Sequence, residues 1–204
     1  MSKETREQRR IRHQINNLNS PEFKVSVRGE HYLIRFYGVR ALDQLLEACD
    51  HPNPVVRFRA AWALAYTHDP RSYETILRLT DDPEERVRYD AVIALGILGD
   101  ERAIEPLIRM LLSNDETRPA GSGLDRMGLK TVPALIGILH HCNPDVRVIV
   151  VDILGGFAKK FGDERCLELL KEFIQAPGLE VRKNAEYWLD EIMNSEPLVS
   201  EQTL

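Results

Sequence analysis

Apolar residues recur at helical spacing along almost the whole chain, and the clearest stretch runs from Pro83 to Leu111, PEERVRYDAVIALGILGDERAIEPLIRML. Val87, Ala91, Ala94, Leu95 and Leu98 step by 4, 3, 1 and 3 residues, which is one face of an α-helix. Pro83 suits a helix start, where a missing N–H does no harm. Gly99 ends that helix, and Asp100 can cap the next one, whose stripe is Ile104, Leu107, Ile108 and Leu111. Two helices of this kind cannot bury both stripes alone. They predict a stack of similar pairs.

The pairs are present. Calling the helices of each pair A and B, the first stripe residue of A precedes that of B by 14 positions in five places: Ile11 and Val25, Leu42 and Val56, Tyr73 and Val87, Val132 and Val146, Leu167 and Val181. The expected repeats span about 1–37, 38–68, 69–99, 100–128, 129–162 and 163–194, forming a single domain over 1–194. The tail SEPLVSEQTL, 195–204, has no periodicity and is expected to fray. Repeat one has a charged helix A over roughly 3–18, as a terminal capping repeat would. Its helix B is expected to turn Val25, Gly29, Tyr32, Leu33 and Phe36 inward.

Repeat four is irregular. Arg118 stands where its B stripe should begin, and the better stripe is Ala120, Gly123, Leu124 and Met127. The segment RPAGSG, 118–123, predicts a short, late or kinked helix whose small residues admit a close neighbour. It reads either as a degenerate repeat or as a hinge or cleft.

Composition narrows the function classes. Over 204 residues, 43% hydrophobic and 29% charged positions are those of an ordinary globular chain. A net charge of −5, with Asp and Glu interleaved among the arginines, argues against nucleic acid as the main partner. The N-terminal SKETREQRRIRH lacks a signal-peptide core, and apolar runs such as ALIGIL are too short to span a bilayer, so a cytoplasmic protein without a membrane role is expected. Cys49, Cys142 and Cys166 form neither a disulfide framework nor a C-x-x-C motif. No Walker, dinucleotide or G-x-S-x-G pattern occurs. Cys49-Asp50-His51 and His140-His141-Cys142 end separate A helices and offer too few ligands each, so neither a metal site nor a catalytic residue is assigned.

The face of each B helix opposite its core stripe is more informative. Positions two, three, six and ten after each B leader share that face. Repeat one places Val27, Arg28, His31 and Arg35 there, repeat two Phe58, Arg59, Trp62 and Tyr66, and repeat three Tyr89, Asp90, Ile93 and Ile97. In repeats five and six the same rule selects Val148, Ile149, Asp152, Lys183, Asn184 and Tyr187, among others. An aromatic and aliphatic patch bordered by arginine is the composition of a recognition surface. The alternative is that these residues are buried as ordinary core.

Repeats of about 31 residues, with P-x-x-x-V-R at the start of helix B and A-L-G-x-L-G-D-x-R-A at its end, resemble HEAT repeats. More narrowly they are similar to the HEAT-like repeats named after phycobilisome lyases. The match is fullest over 83–108 and weaker in VVRFRAAWALA, NPDVRVIVVDILG and GLEVRKNAEYWL. The resemblance implies an all-α, right-handed α-α superhelix of about six two-helix repeats, with B helices on the concave side. It also implies that Arg57, Arg88, Arg147 and Arg182 join acidic residues of neighbouring repeats. The expected function is a non-enzymatic interaction scaffold, its surface made by Arg28, His31, Arg35, Phe58, Arg59, Trp62, Tyr66, Tyr89, Ile93 and Ile97. The expected partner is a protein or peptide with apolar and acidic groups, and no cofactor is called for. The resemblance carries an alternative, a bilin lyase subunit or phycobilisome-handling factor, in which the same aromatics would lie on tetrapyrrole rings and the arginines on propionates.

Overall fold

The computed structural model describes residues 5–113, 117–176 and 178–194; the predicted frayed tail and the first residues of the first helix lie outside these. Among the described residues every regular element is helical. The chain divides into two compact units, residues 1–127 and 128–204.

Unit 1 contains α1 (Arg6–Leu18), α2 (Phe23–Tyr32), α3 (Leu42–Ala48), α4 (Pro54–Ala65), α5 (Tyr73–Leu79), α6 (Glu85–Leu98), α7 (Ile104–Leu112) and α8 (Thr117–Met127). α1 opens with a reciprocal capping box between Thr5 and Gln8, so two orphan amides are satisfied at once. Asn53 caps α4 by accepting from the Val55 amide, with Pro54 behind it. α6 stops where Gly99 adopts a left-handed conformation, φ 71°, which any other L-residue adopts only at a cost. Each A helix pairs with the B helix that follows, and the B helices α4, α6 and α8 pack side by side. The stripe residues Leu42, Leu45, Val56, Ala60, Leu64, Ile76, Val87, Ala91, Leu95, Leu107 and Leu111 are essentially inaccessible to water. Each large aliphatic one contributes roughly 1.5–3 kcal/mol by its burial.

Repeat one departs from its expected stripe. Val25 is only half-buried, Tyr32 and Phe36 are exposed, and the buried residues are Ser26, Gly29 and Leu33. Ser26 donates its hydroxyl to the Leu18 carbonyl at 3.0 Å, and Gly29 lies against the Gln14 carbonyl and the Asn17 side chain. Of the expected inward set Gly29 and Leu33 are buried, and Ser26 takes the place expected for Val25, so the contact with α1 is made largely by small and polar groups. After Tyr32 the chain continues as a π-turn, Leu33–Tyr37.

Repeat four has a complete, short B helix. α8 takes Pro119 into its first turn, then buries Ala120, Gly123, Leu124 and Met127. Its small residues do admit a close neighbour: a Cβ built on Gly96 of α6 would lie 2.4 Å from the Gly123 carbonyl oxygen.

Unit 2 contains α9 (Val132–Leu139), α10 (Pro144–Phe161), α11 (Glu164–Phe173) and α12 (Leu179–Met193). α10 has 18 residues against 14 in α6, and it ends at Gly162 in a left-handed conformation directly before Asp163 caps α11. In α11 the buried residues are Cys166, Leu170 and Phe173, while the expected leader Leu167 is half-buried, as is Ile174 just after the helix.

The arginine that follows four of the B leaders has a common task. Arg57 donates to the carbonyls of His51 and Pro52, Arg88 to those of Asp82 and Pro83, Arg147 to those of Leu139 and Cys142, and Arg182 to that of Ala176. These carbonyls belong to the end of helix A and the loop leaving it, where no helical N–H reaches them. The expected link to a neighbouring repeat is present for Arg57, which grips Asp82 with two bonds of 2.8 and 2.7 Å. Burial alone would push the Asp82 carboxyl up, but the Arg57 fork and the Glu84 amide outweigh it and hold it below its ordinary value. For Arg147 and Arg182 the bonds are to carbonyls of their own repeat.

Candidate functional site

The B-helix face of unit 1 assembles part of the expected patch and rearranges the rest. Phe58 and Trp62 on α4 are half-buried, and Tyr66, directly after α4, is exposed. Their spacing of four residues stacks them along one side, with the Trp62 and Tyr66 rings 6.2 Å apart. On α6, Tyr89 is exposed and Ile97 half-buried.

Two expected surface residues are buried. Ile93 is 8% exposed. Arg59 is 7% exposed, pairs with Glu30 of α2, and lies over the rings of Phe23 and Phe58 at 5.6 and 5.3 Å. Its Nε has no hydrogen-bond partner. Burial pushes the Glu30 carboxyl above its ordinary value, against the pull of Arg59. This pair joins α2 to α4 and leaves no free Arg59 fork for a ligand.

Arg86 takes the place intended for Arg59, and the sequence reasoning missed it. Its guanidinium lies 5.5 Å from the Phe58 ring and 5.9 Å from the Tyr89 ring, within cation–π range of both. It is 64% exposed and donates through Nε to Asp90 at 2.6 Å. The signal was available, since Arg86 and Asp90 stand four apart on one helix. Asp90 itself is 1% exposed and also accepts the Trp62 indole N–H at 3.2 Å. One buried carboxylate therefore fixes the orientation of both an indole and a guanidinium at the surface above it.

Arg28, His31 and Arg35 are exposed on α2 and the π-turn, with Arg35 6.0 Å from the Phe36 ring. They share the unit with the aromatic strip, and α2 meets α4 through Glu30 and Arg59.

The corresponding face of unit 2 mixes apolar and polar side chains. Val148, Ile149 and Tyr187, with Asp152, Glu180, Lys183 and Asn184, line a shallow depression of about 450 Å³. Here too an indole meets a carboxylate, Trp188 Nε1 donating to Asp152 Oδ1 at 2.9 Å. The indole lies across Gly155, where a Cβ would come within 2.2 Å of the ring.

Nothing at the cysteines resembles an activated nucleophile. Cys49, Cys142 and Cys166 are all buried as free thiols, and burial pushes those of Cys49 and Cys166 up to about 12. Among the described residues no three His, Cys, Asp or Glu side chains gather as metal ligands, and no helix is long and apolar enough to cross a membrane. His140 instead stacks on Phe173 at 5.9 Å.

Residues 42–122 match the family model for HEAT repeats. The fold is that of HEAT-like repeats. It is similar to a chain in the complex of CpcE and CpcF of phycocyanin lyase from Nostoc sp. PCC7120, at 18% identity and a TM-score of 0.53, covering 94% of this chain and 78% of that one. A designed armadillo repeat protein in complex with the peptide (KR)4 is also similar, at 18% identity and a TM-score of 0.47, over 89% of this chain and 99% of the other. No curated protein matches the chain significantly. The HEAT-like arrangement accounts for the stacked B helices and their shared face, and leaves the chemistry of that face to its side chains.

Proposed function

We propose that the chain is a non-enzymatic interaction module whose B-helix face in unit 1 docks a protein or peptide carrying apolar groups next to acidic ones. The observation that carries this reading is the buried Asp90, which holds Trp62 and Arg86 in fixed orientations beside the exposed Tyr66 and Tyr89. Rigid aromatics lose little conformational entropy on binding, and an exposed guanidinium supplies a fork for carboxylates. Arg28, His31 and Arg35 add positive charge on the neighbouring α2 side of the unit. A partner strand or helix with an acidic residue near its apolar anchors matches this set.

The alternative, handling of a linear tetrapyrrole or of a protein that carries one, has the likeness to the CpcE–CpcF chain behind it. At that identity the likeness speaks for the fold alone. Both readings are tested by immobilising the wild type and a Tyr66→Ser/Tyr89→Ser variant, exposing each to native cell extract, and measuring bound protein and visible absorbance. The docking reading expects a prey retained by the wild type and lost from the variant. Equal retention by both overturns it. Bound visible absorbance that disappears with the tyrosines favours the tetrapyrrole reading instead.

A further inference from the structure

Unit 1 carries a second feature, away from the α4–α6 strip, that the docking reading does not use. A depression of about 680 Å³ lies between α1 and the end of α2, within the size range of small-molecule sites. Arg6, Arg9, Arg10 and His13 of α1 line one side, and Tyr32 and Tyr37 the other. No carboxylate lines it among the described residues. The nearest acidic neighbour in sequence, Glu7, is engaged by Arg40 at 2.7 Å.

Two properties of this depression are unexpected for an ordinary solvated face. The guanidinium groups of Arg6, Arg9 and Arg10 have no carboxylate partner among the described residues, although this chain has more acidic residues than basic ones, 32 against 27. At spacings of three and four on one helix they repel one another, so the cluster works against the stability of α1. The second property is the π-turn. In a continuous α-helix, residues five apart point about 140° away from each other. The i→i+5 turn over Leu33–Tyr37 brings them back into line, and the Tyr32 and Tyr37 rings stand 6.2 Å apart on the same side. Such turns are uncommon and concentrate at functional sites.

We infer that this depression binds a small anion carrying two or more adjacent phosphate groups. Arginine forks fit phosphate oxygens in pairs, and three guanidiniums with a histidine exceed what one carboxylate would balance. The two phenols supply O–H donors and an aromatic wall beside the charge. The inference is independent of the docking surface, because none of these six residues belongs to the α4–α6 strip.

The test is calorimetric titration of the full chain with pyrophosphate at about 0.15 M salt, where surface charge is screened beyond about 8 Å. The comparison uses Arg9→Gln/Arg10→Gln, with Arg78→Gln/Lys171→Gln as a charge-matched control elsewhere on the surface. All four side chains are exposed, so the variants should fold, and far-UV circular dichroism checks that they do. The expected result is one site in the wild type and in the control, weakened about tenfold or more for each guanidinium removed. A Tyr37→Ala variant, which keeps every charge, should also bind more weakly. Absence of binding by the wild type, or equal binding by Arg9→Gln/Arg10→Gln, overturns the site. Citrate binding as tightly as pyrophosphate overturns the assignment to phosphate.

Discussion

The Trp62 indole donates to Asp90 Oδ1 at 3.2 Å, across the contact of α4 with α6. Asp90 is 1% exposed, so this bond and the one from Arg86 stand in for the water the carboxylate has lost. Trp62→Phe keeps an aromatic ring and removes the donor. It should destabilise unit 1 by about 1–3 kcal/mol, read as a lower urea midpoint. In an Asp90→Ala background the same change should cost less, because the indole then has no acceptor to lose. An equal cost in both backgrounds would show that the bond contributes nothing to stability.

α6 and α8 approach closely where Gly96 faces Gly123. A Cβ on Gly96 would sit 2.4 Å from the Gly123 carbonyl oxygen and 2.5 Å from its Cα, and backbone atoms cannot move aside as a flexible side chain can. Gly96→Ala should therefore force α6 and α8 apart and destabilise by about 1–3 kcal/mol or more. Gly137 in α9 is the control. It is exposed, with no atom within 4 Å of its built Cβ, so Gly137→Ala should instead stabilise by about 0.5–1 kcal/mol. Thermal melts of the two variants should shift in opposite directions.

The helices were legible because their stripes are made of large apolar residues, and the buried stripe leaders Ile11, Leu42, Val56, Val87, Val132, Val146 and Val181 register that pattern directly. Where contact depends on small or polar groups the pattern is blind. Ser26 helps seat α2 on α1 through its bond to the Leu18 carbonyl, and a serine does not count as apolar in a helical stripe. The π-turn that aligns Tyr32 with Tyr37 leaves no trace in a 3.6-residue period. At the candidate site, spacing alone set Trp62 beside Tyr66, and their rings stand 6.2 Å apart. Spacing could not place Arg59, because its burial depends on Glu30, 29 residues away on another helix. Asp90 was placed on the open face and is in fact beneath it, since a carboxylate can be buried once two donors reach it.

At low pH, Asp163 should report on α11. It accepts the Cys166 amide as an N-cap and two bonds from Arg165. The Arg165 fork is the main cause that holds its carboxyl down at about 2, below the ordinary 3.8. A depressed carboxyl stabilises the fold above its unfolded value and loses that contribution as pH falls from about 4 towards 2. Asp163→Asn keeps a good N-cap while removing the titration. The difference in melting temperature between wild type and Asp163→Asn should therefore be constant above pH 5 and shrink between pH 4 and 2, as expected for a shifted carboxylate. A pH-independent difference would assign the whole effect to the cap.

Burial sets the chemistry of Cys49 and Cys166, whose thiols are pushed up to about 12. The thiolate is the form that reacts with alkylating agents, and an ordinary cysteine near 8.5 has a substantial thiolate fraction at pH 8. A thiol near 12 has about one part in ten thousand at that pH. Neither residue is exposed, so reagent access falls as well. Incubation with iodoacetamide at pH 8 should leave Cys49 and Cys166 unmodified in the folded protein and alkylate both in urea, as followed by peptide mass spectrometry. Because reaction then requires local opening, the labelling rates of the two cysteines also rank how often α3 and α11 come free. Alkylation of either in the folded state at the rate seen in urea would mean that its helix is not packed as described.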